Sequence, residues 1–184
     1  THIRISQQFK IVMGLGLLIS VIELLNLLSG RSLSFYGLIP RQQEGLIGIV
    51  TAPFLHADVV PFSSNILPLC ILSFLLLQHG LVRFILVSVF VVSVAGGLVW
   101  LFARPAIHLG ASGLIYGYFA YLLIAGWLSR EVKLLAIAIL VAAFYGGMIW
   151  GVLPGEVFIS WEFHLFGFLA GVMAAFIWGR AARR

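Results

Sequence analysis

Gly110-Ala111-Ser112-Gly113 opens an apolar run, SGLIYGYFAYLLIAGWL, that continues to Leu128. The run is near the ~20 residues a membrane-crossing helix needs, so it reads as a transmembrane helix with a hydroxyl at its entrance, between two residues that lack bulk. Glycines there permit a tight turn and close approach of a substrate, and the free N–H groups of a helix start face a developing negative charge. Ser112 is therefore a candidate nucleophile. Serine and glycine also serve helix packing in membranes, and what separates the two uses is a histidine, distant in sequence, that the topology brings to the same depth.

Composition settles the surroundings. Of the 184 residues, 62% are hydrophobic and only 9% charged, with a mean hydropathy of +1.14, which excludes a water-soluble globular domain. An integral membrane protein is predicted, one domain over residues 1–184. The net charge of +5 does not point to nucleic acid, because the basic residues lie at the ends of apolar segments and not along one helix face. Cys70 is the single cysteine, so no internal disulfide forms, and its apolar setting reads as a buried, inert thiol. No metal-ligand spacing occurs, and neither metal nor cofactor is expected.

Six apolar runs, at about 9–28, 62–78, 84–103, 112–128, 134–152 and 162–179, predict an all-α polytopic bundle of six transmembrane helices. The first has the length of a full span and lacks a small-residue cleavage site, so it reads as a helix and not a removed signal peptide. Arg4, Lys10, Arg83, Arg130, Lys133, Arg180, Arg183 and Arg184 fall on one side of this layout, and Arg31, Arg41 and Arg104 on the other. The positive-inside rule then puts both termini in the cytoplasm. Between the first two spans, Ser29 to Pro61 is broken by glycines and prolines yet carries Leu33, Phe35, Tyr36, Leu38, Leu46 and Ile47, which predicts a compact loop partly in the membrane interface. The Gly151–Trp161 connection, with Pro154, Gly155, Glu156 and Phe158, is a candidate lid.

In this layout spans two, four and six all begin on the outer side, and their starts carry Asn65, Ser112 and His164. At a rise of about 1.5 Å per residue, Ser112 stands about 27 Å above Arg130, His164 about 24 Å above Arg180 and Asn65 about 27 Å above Arg83. Against about 30 Å of hydrocarbon, a carboxamide, a hydroxyl and an imidazole share one layer just inside the outer boundary. Ser112, Tyr116 and Ala120 fall on one helix face beside Gly113 and Gly117, while His164, Gly167 and Gly171 fall on one face of the last span. Small residues on both helices permit the close approach that brings the imidazole to the hydroxyl, with Tyr116 packed against the ring. His108, four residues before Ser112, is an alternative base on a loop.

Gly110-Ala111-Ser112-Gly113 with Tyr116, and His164-x-x-Gly167-x-x-x-Gly171, resemble the rhomboid intramembrane serine proteases, in their compact bacterial six-span form. The resemblance implies a serine endopeptidase with a Ser112–His164 dyad and no acidic third member, an aromatic stacked on the histidine, and an oxyanion bound by the Ser112 backbone N–H and Asn65. Gly110, Gly113, Tyr116, Gly167 and Gly171 would support the site. It further implies transmembrane protein substrates cut near the outer, periplasmic face of a bacterial inner membrane, with the lipid bilayer as the other partner. Two departures stand out. Asn65 matches the asparagine of the family's His-x-x-x-Asn motif, but Pro61 stands where its histidine would be, and His56 is out of register with that position. The first outer loop also lacks the family's Trp-Arg pair. Besides the protease, the sequence allows a catalytically weak or inactive scaffold of the same fold that binds transmembrane helices. A transporter is disfavoured, since Glu23 is the one acid within the first five spans and no proton-relay string follows it.

Overall fold

The computed structural model describes residues 3–155 and 159–180. Its helices are α1 (Ile5–Leu28), the short α2 (Gly48–Thr51), α3 (Val59–Leu77), α4 (Leu81–Phe102), α5 (Ser112–Ser129), α6 (Val132–Tyr145) and α7 (Trp161–Trp178). Six stretches are long and apolar enough to cross a membrane, as the sequence predicts, and the described residues form an all-α bundle. The fifth span, Val132–Val152, ends where the sequence predicts but is not one regular helix. Regular α-helix stops at Tyr145, ahead of the glycine pair Gly146-Gly147, and 3-10 turns carry the chain from Gly146 to Val152.

Burial explains the order of the helices. α5 has the lowest mean hydropathy of the six, 1.3, and is the most enclosed, with 67% of its span buried; α1, α3, α4 and α6 run at 2.0 to 2.5 with 22–28% buried. A helix that faces lipid has to be apolar on its outer side, whereas a central helix is free to carry hydroxyls and small residues. α5 accordingly stands in the middle, packed against α3, α4, α6 and α7, while α1 lies outside against α3. Tyr118, Phe119, Tyr121 and Leu122 of α5 are all fully enclosed, and Leu17, Val89, Phe144 and Phe176 are among the large side chains left to the bilayer.

The closest helix pair is α5 with α7. Gly167 and Gly171 of α7 lie directly against the backbone carbonyls of Gly113 and Gly117 of α5, with no room for a side chain. Two backbones in contact at successive turns fix the relative depth of the two helix starts. At the opposite end, Arg83 donates to the Arg180 carbonyl (3.0 Å), Lys133 to Gln78 (2.8 Å) and Gln78 to Gln8 (2.6 Å), so three basic residues and two glutamines gather there. Arg183 and Arg184 lie outside the described residues.

The long connection between α1 and α3 folds as the sequence expects. Helical turns at Ser32–Tyr36 and Glu44–Phe54 bury Leu38, Ala52 and Leu55, and leave Phe35, Tyr36, Leu46 and Ile47 exposed as an apolar rim. Leu38 exchanges two backbone hydrogen bonds with His108 (3.0 and 2.8 Å), and Arg41 donates to the Ala103 carbonyl (2.8 Å), so this loop is tied to the chain that leads into α5. Arg31 pairs with Oε1 of the buried Glu23 of α1 at 2.6 Å, which gives the one acid within that span a counter-charge.

Candidate active site

Ser112 is the first residue of α5. The turn before it depends on Gly110, whose φ of 116° lies in the region that side-chain-bearing residues avoid. Gly110 N–H donates to the Ala52 carbonyl (3.0 Å) and Ala111 N–H to His56 Nε2 (3.5 Å), while the Ser112 N–H, in the first turn of the helix, has no acceptor among the described residues. The missing side chain of Gly110 leaves a hollow beside the serine. The point its Cβ would occupy is 3.5 Å from Asn65 Nδ2, 3.8 Å from Ser112 Oγ and 3.9 Å from Ser112 N. The Ser112 hydroxyl, the helix-start N–H and the Asn65 carboxamide thus gather on one side of Gly110, which makes the two N–H groups candidate donors to an oxyanion.

His164 lies in the first turn of α7, one helical turn above Gly167. Its ring stacks on Tyr116 at 4.3 Å between centroids and 8° between planes, and Nδ1 lies 2.9 Å from the Gly151 carbonyl. A carbonyl only accepts, so in the neutral ring Nδ1 carries the proton and Nε2 holds the lone pair. Tyr116 is itself buried one turn beneath Ser112, and Phe163, next to His164, packs on Gly113, next to Ser112. The hydroxyl and the imidazole thus leave the same helix contact at adjacent positions. No hydrogen bond joins Ser112 Oγ to His164 Nε2 among the described residues. Unliganded sites often hold such pairs loosely.

Every residue the sequence singled out for the site falls at this end of the bundle: Asn65 at the hollow, Gly110 in the turn, and Gly113, Tyr116, Gly167 and Gly171 along the α5–α7 contact. His108 does not. Both of its nitrogens are engaged elsewhere, Nδ1 with Ser160 Oγ (2.6 Å) and Nε2 with the Arg104 carbonyl (3.0 Å). Pro61 is exposed in the first turn of α3, where the absent N–H leaves no helical bond unmade.

Two participants escaped the sequence reading. His56, out of register if α3 is extended backward as a helix, arrives from the loop before it and is 1% exposed against the Ala111 N–H. Its carbonyl is held by Asn26 Nδ2 (3.2 Å) and Arg31 (3.3 Å), so the outer end of α1 fixes its place. Burial, helped by Arg31, lowers its pKa from 6.5 to about 4, which keeps the ring neutral and Nε2 able to accept. The second is the Gly151 carbonyl, part of the segment read as a lid. A backbone acceptor leaves no mark in a sequence. Glu156 and Phe158 of that segment lie outside the described residues.

Comparison with known proteins agrees with this architecture. A family model described as the Rhomboid domain matches residues 43–181, which takes in α2 to α7 and both helix starts of the site. Uncharacterized proteins of Mycobacterium tuberculosis and Mycobacterium bovis are each 37% identical over 177 residues, spanning 91% of this chain and 73% of the relative. One from Mycobacterium leprae is 36% identical over 179 residues, spanning 91% and 70%. The chain belongs to the rhomboid family, a family of intramembrane proteases.

Proposed function

We propose that this protein is an intramembrane serine endopeptidase whose substrates are transmembrane segments of other proteins. The observation that carries the reading is the state of His164: stacked on Tyr116, with Nδ1 committed to the Gly151 carbonyl, it keeps Nε2 as a base at the depth of Ser112. Ser112 Oγ attacks the scissile carbonyl carbon while its proton passes to His164 Nε2. The oxyanion forms at the hollow beside Gly110, facing the Ser112 N–H and Asn65 Nδ2. As the tetrahedral adduct collapses, the imidazolium gives its proton to the leaving amine and an acyl ester remains on Ser112. Water, deprotonated by the same Nε2, then hydrolyses the ester.

A helical substrate hides its carbonyls in hydrogen bonds, so residues that weaken helix are expected near the cut. The groove between α3 and α6, about 550 Å³ and lined by Leu67, Pro68, Ile71, Leu75, Leu140 and Phe144, supports sideways entry from lipid. By the positive-inside rule the Arg83–Lys133–Arg180 end faces the cytoplasm and the Ser112 end faces outward, into the periplasm if the membrane is a bacterial inner membrane.

Purified protein in liposomes with a membrane-anchored test substrate is expected to yield one discrete cut that Ser112→Ala and His164→Ala each abolish without unfolding. A fluorophosphonate is expected to label Ser112 alone. One observation favours a second reading, a scaffold that binds transmembrane helices without cutting them: Pro61 in place of the family's histidine. Intact substrate that still co-purifies with the wild-type protein supports the scaffold and refutes the protease.

A further inference from the structure

Ser112 and His164 stand on separate elements, and the glycine contact of α5 with α7 holds them from below. The structure supplies a second tie above the pair. The chain from α4 to α5, residues 103–111, bonds to the start of α7 at three points. His108 Nδ1 meets Ser160 Oγ at 2.6 Å, Arg104 Nη2 donates to the Ile159 carbonyl at 2.6 Å, and Arg104 Nε lies 3.2 Å from Glu162 Oε1. Ser160 is the N-cap of α7, its hydroxyl accepting from the Phe163 N–H at 3.4 Å, and His164 follows one turn later. One short loop thus bonds the first turn that carries the imidazole and leads, four residues on, into the serine.

We propose that His108 is a positioning residue: its bond to the Ser160 cap, backed by Arg104 on Glu162, sets the angle at which the first turn of α7 presents His164 to Ser112. The proposal rests on the reading of Ser112 and His164 as the reacting pair. The bonding fixes the proton positions. His108 Nε2 lies on a carbonyl, 3.0 Å from Arg104 O, and so is the protonated nitrogen; Nδ1 then accepts the Ser160 O–H, and the serine oxygen keeps a lone pair for the Phe163 N–H. His108 is 1% exposed and Glu162 2%, so the ring and the carboxylate are shielded from water, while Arg104 reaches Glu162 as an ion pair from a side chain that is partly exposed. The groups that face the ring are Ser160, Arg104, Glu162 and the edge of Phe163, with the Leu38 backbone on its own peptide. Nothing else in the proposed mechanism requires an imidazole at position 108.

The test compares wild type, His108→Ala, His108→Gln, Ser160→Ala and the double variant H108A/S160A in liposomes. It measures kcat and KM for a membrane-anchored substrate and the rate of fluorophosphonate labelling of Ser112. Glutamine carries a donor and an acceptor spaced much as the two ring nitrogens are, so it can bond both Arg104 O and Ser160 Oγ. His108→Ala is expected to lower kcat and labelling by about 10- to 100-fold, the scale of an ångström-level misplacement, with KM within about twofold. Ser160→Ala should do the same, the double variant should be no slower than the worse single one, and His108→Gln should recover most of the rate. Ser160→Ala removes one oxygen only, so it carries the test if His108→Ala fails to fold. An unchanged kcat, a loss confined to KM, losses that multiply, or no recovery by glutamine overturns the clasp while leaving the dyad standing. If wild type itself shows no Ser112-dependent cut, the protease reading fails and the clasp falls with it.

Discussion

Gly167→Ala puts the α5–α7 contact to a direct test. A methyl on Gly167 would sit inside 3.0 Å of the Gly113 carbonyl oxygen, its carbon and its α-carbon together, whereas ordinary contact begins at 3.4 Å. All three atoms are backbone and cannot swing aside. Because a carbon resting on a carbonyl oxygen settles at about 3.3–3.6 Å, the helices must part by on the order of 1 Å. Gly113 adjoins Ser112 and His164 is three residues from Gly167, so the displacement reaches the proposed dyad almost undiminished. An ångström of misplacement costs a reaction about 10²-fold, and overpacking a tight contact costs about 1–3 kcal/mol of stability. The assay is the second-order rate of Ser112 labelling by a fluorophosphonate, with thermal unfolding in detergent alongside. Gly97→Ala, whose new methyl meets nothing within 4 Å, is the control. Gly171→Ala meets an equal overlap one turn deeper, so its effect on labelling should be smaller at a similar loss of stability. If Gly167→Ala labels Ser112 within twofold of wild type, the spacing of the two side chains is not set by this contact and the reasoning is wrong.

Gly110→Ala should abolish labelling and lower stability by about 1–2 kcal/mol, because its φ of 116° strains any L side chain and the methyl would occupy the hollow beside Ser112. Tyr116→Phe keeps the ring stacked on His164 and should keep kcat within about threefold, while Tyr116→Leu should lose about two- to tenfold, the worth of an aromatic pair. His56 and His79, both outside the spans, have folded pKa values lowered to about 4 from 6.5, chiefly by burial. Between those values the unfolded chain binds the extra protons, so stability is full above about pH 6.5 and declines as pH falls toward about 4; thermal unfolding in detergent against pH reads this, and His56→Asn should flatten part of the slope.

The common level of the candidate residues was read from one number that sequence context hardly alters, the rise of a helix. Asn65, Ser112 and His164 could be placed in one layer by counting from Arg83, Arg130 and Arg180, and the small residues at 113, 117, 167 and 171 told which faces meet. Counting told less where the chain is not regular helix. The fifth span reaches Val152 as counted, but from the Gly146-Gly147 pair onward it is 3-10 and not α-helix, a change that apolarity alone does not show. His108 looked like a base because proximity in sequence was the only measure available for a loop; in the folded chain its partners are Arg104 and Ser160, the second 52 residues away.

Pro61 shows the same limit with a chemical consequence. Periodicity compares position 61 with position 65 as neighbours on one helix, and on that basis nothing replaces the missing imidazole. The segment before α3 is extended, not helical, with Asp58 at φ −153°, so His56 reaches the Ser112 turn by a path that helical counting does not describe. It does not take over the missing role, however. With Nε2 accepting from Ala111 N–H, the nitrogen facing the turn has no proton to offer an oxyanion, and what His56 contributes is the fixed position of the peptide that precedes Ser112. The donors left to the proposed oxyanion are the Ser112 N–H and Asn65 Nδ2. One donor is worth about 10²- to 10³-fold in rate, so in a site with two the removal of Asn65 takes half of the binding, and a kcat that survived Asn65→Ala would mean that the oxyanion forms somewhere other than the hollow beside Gly110.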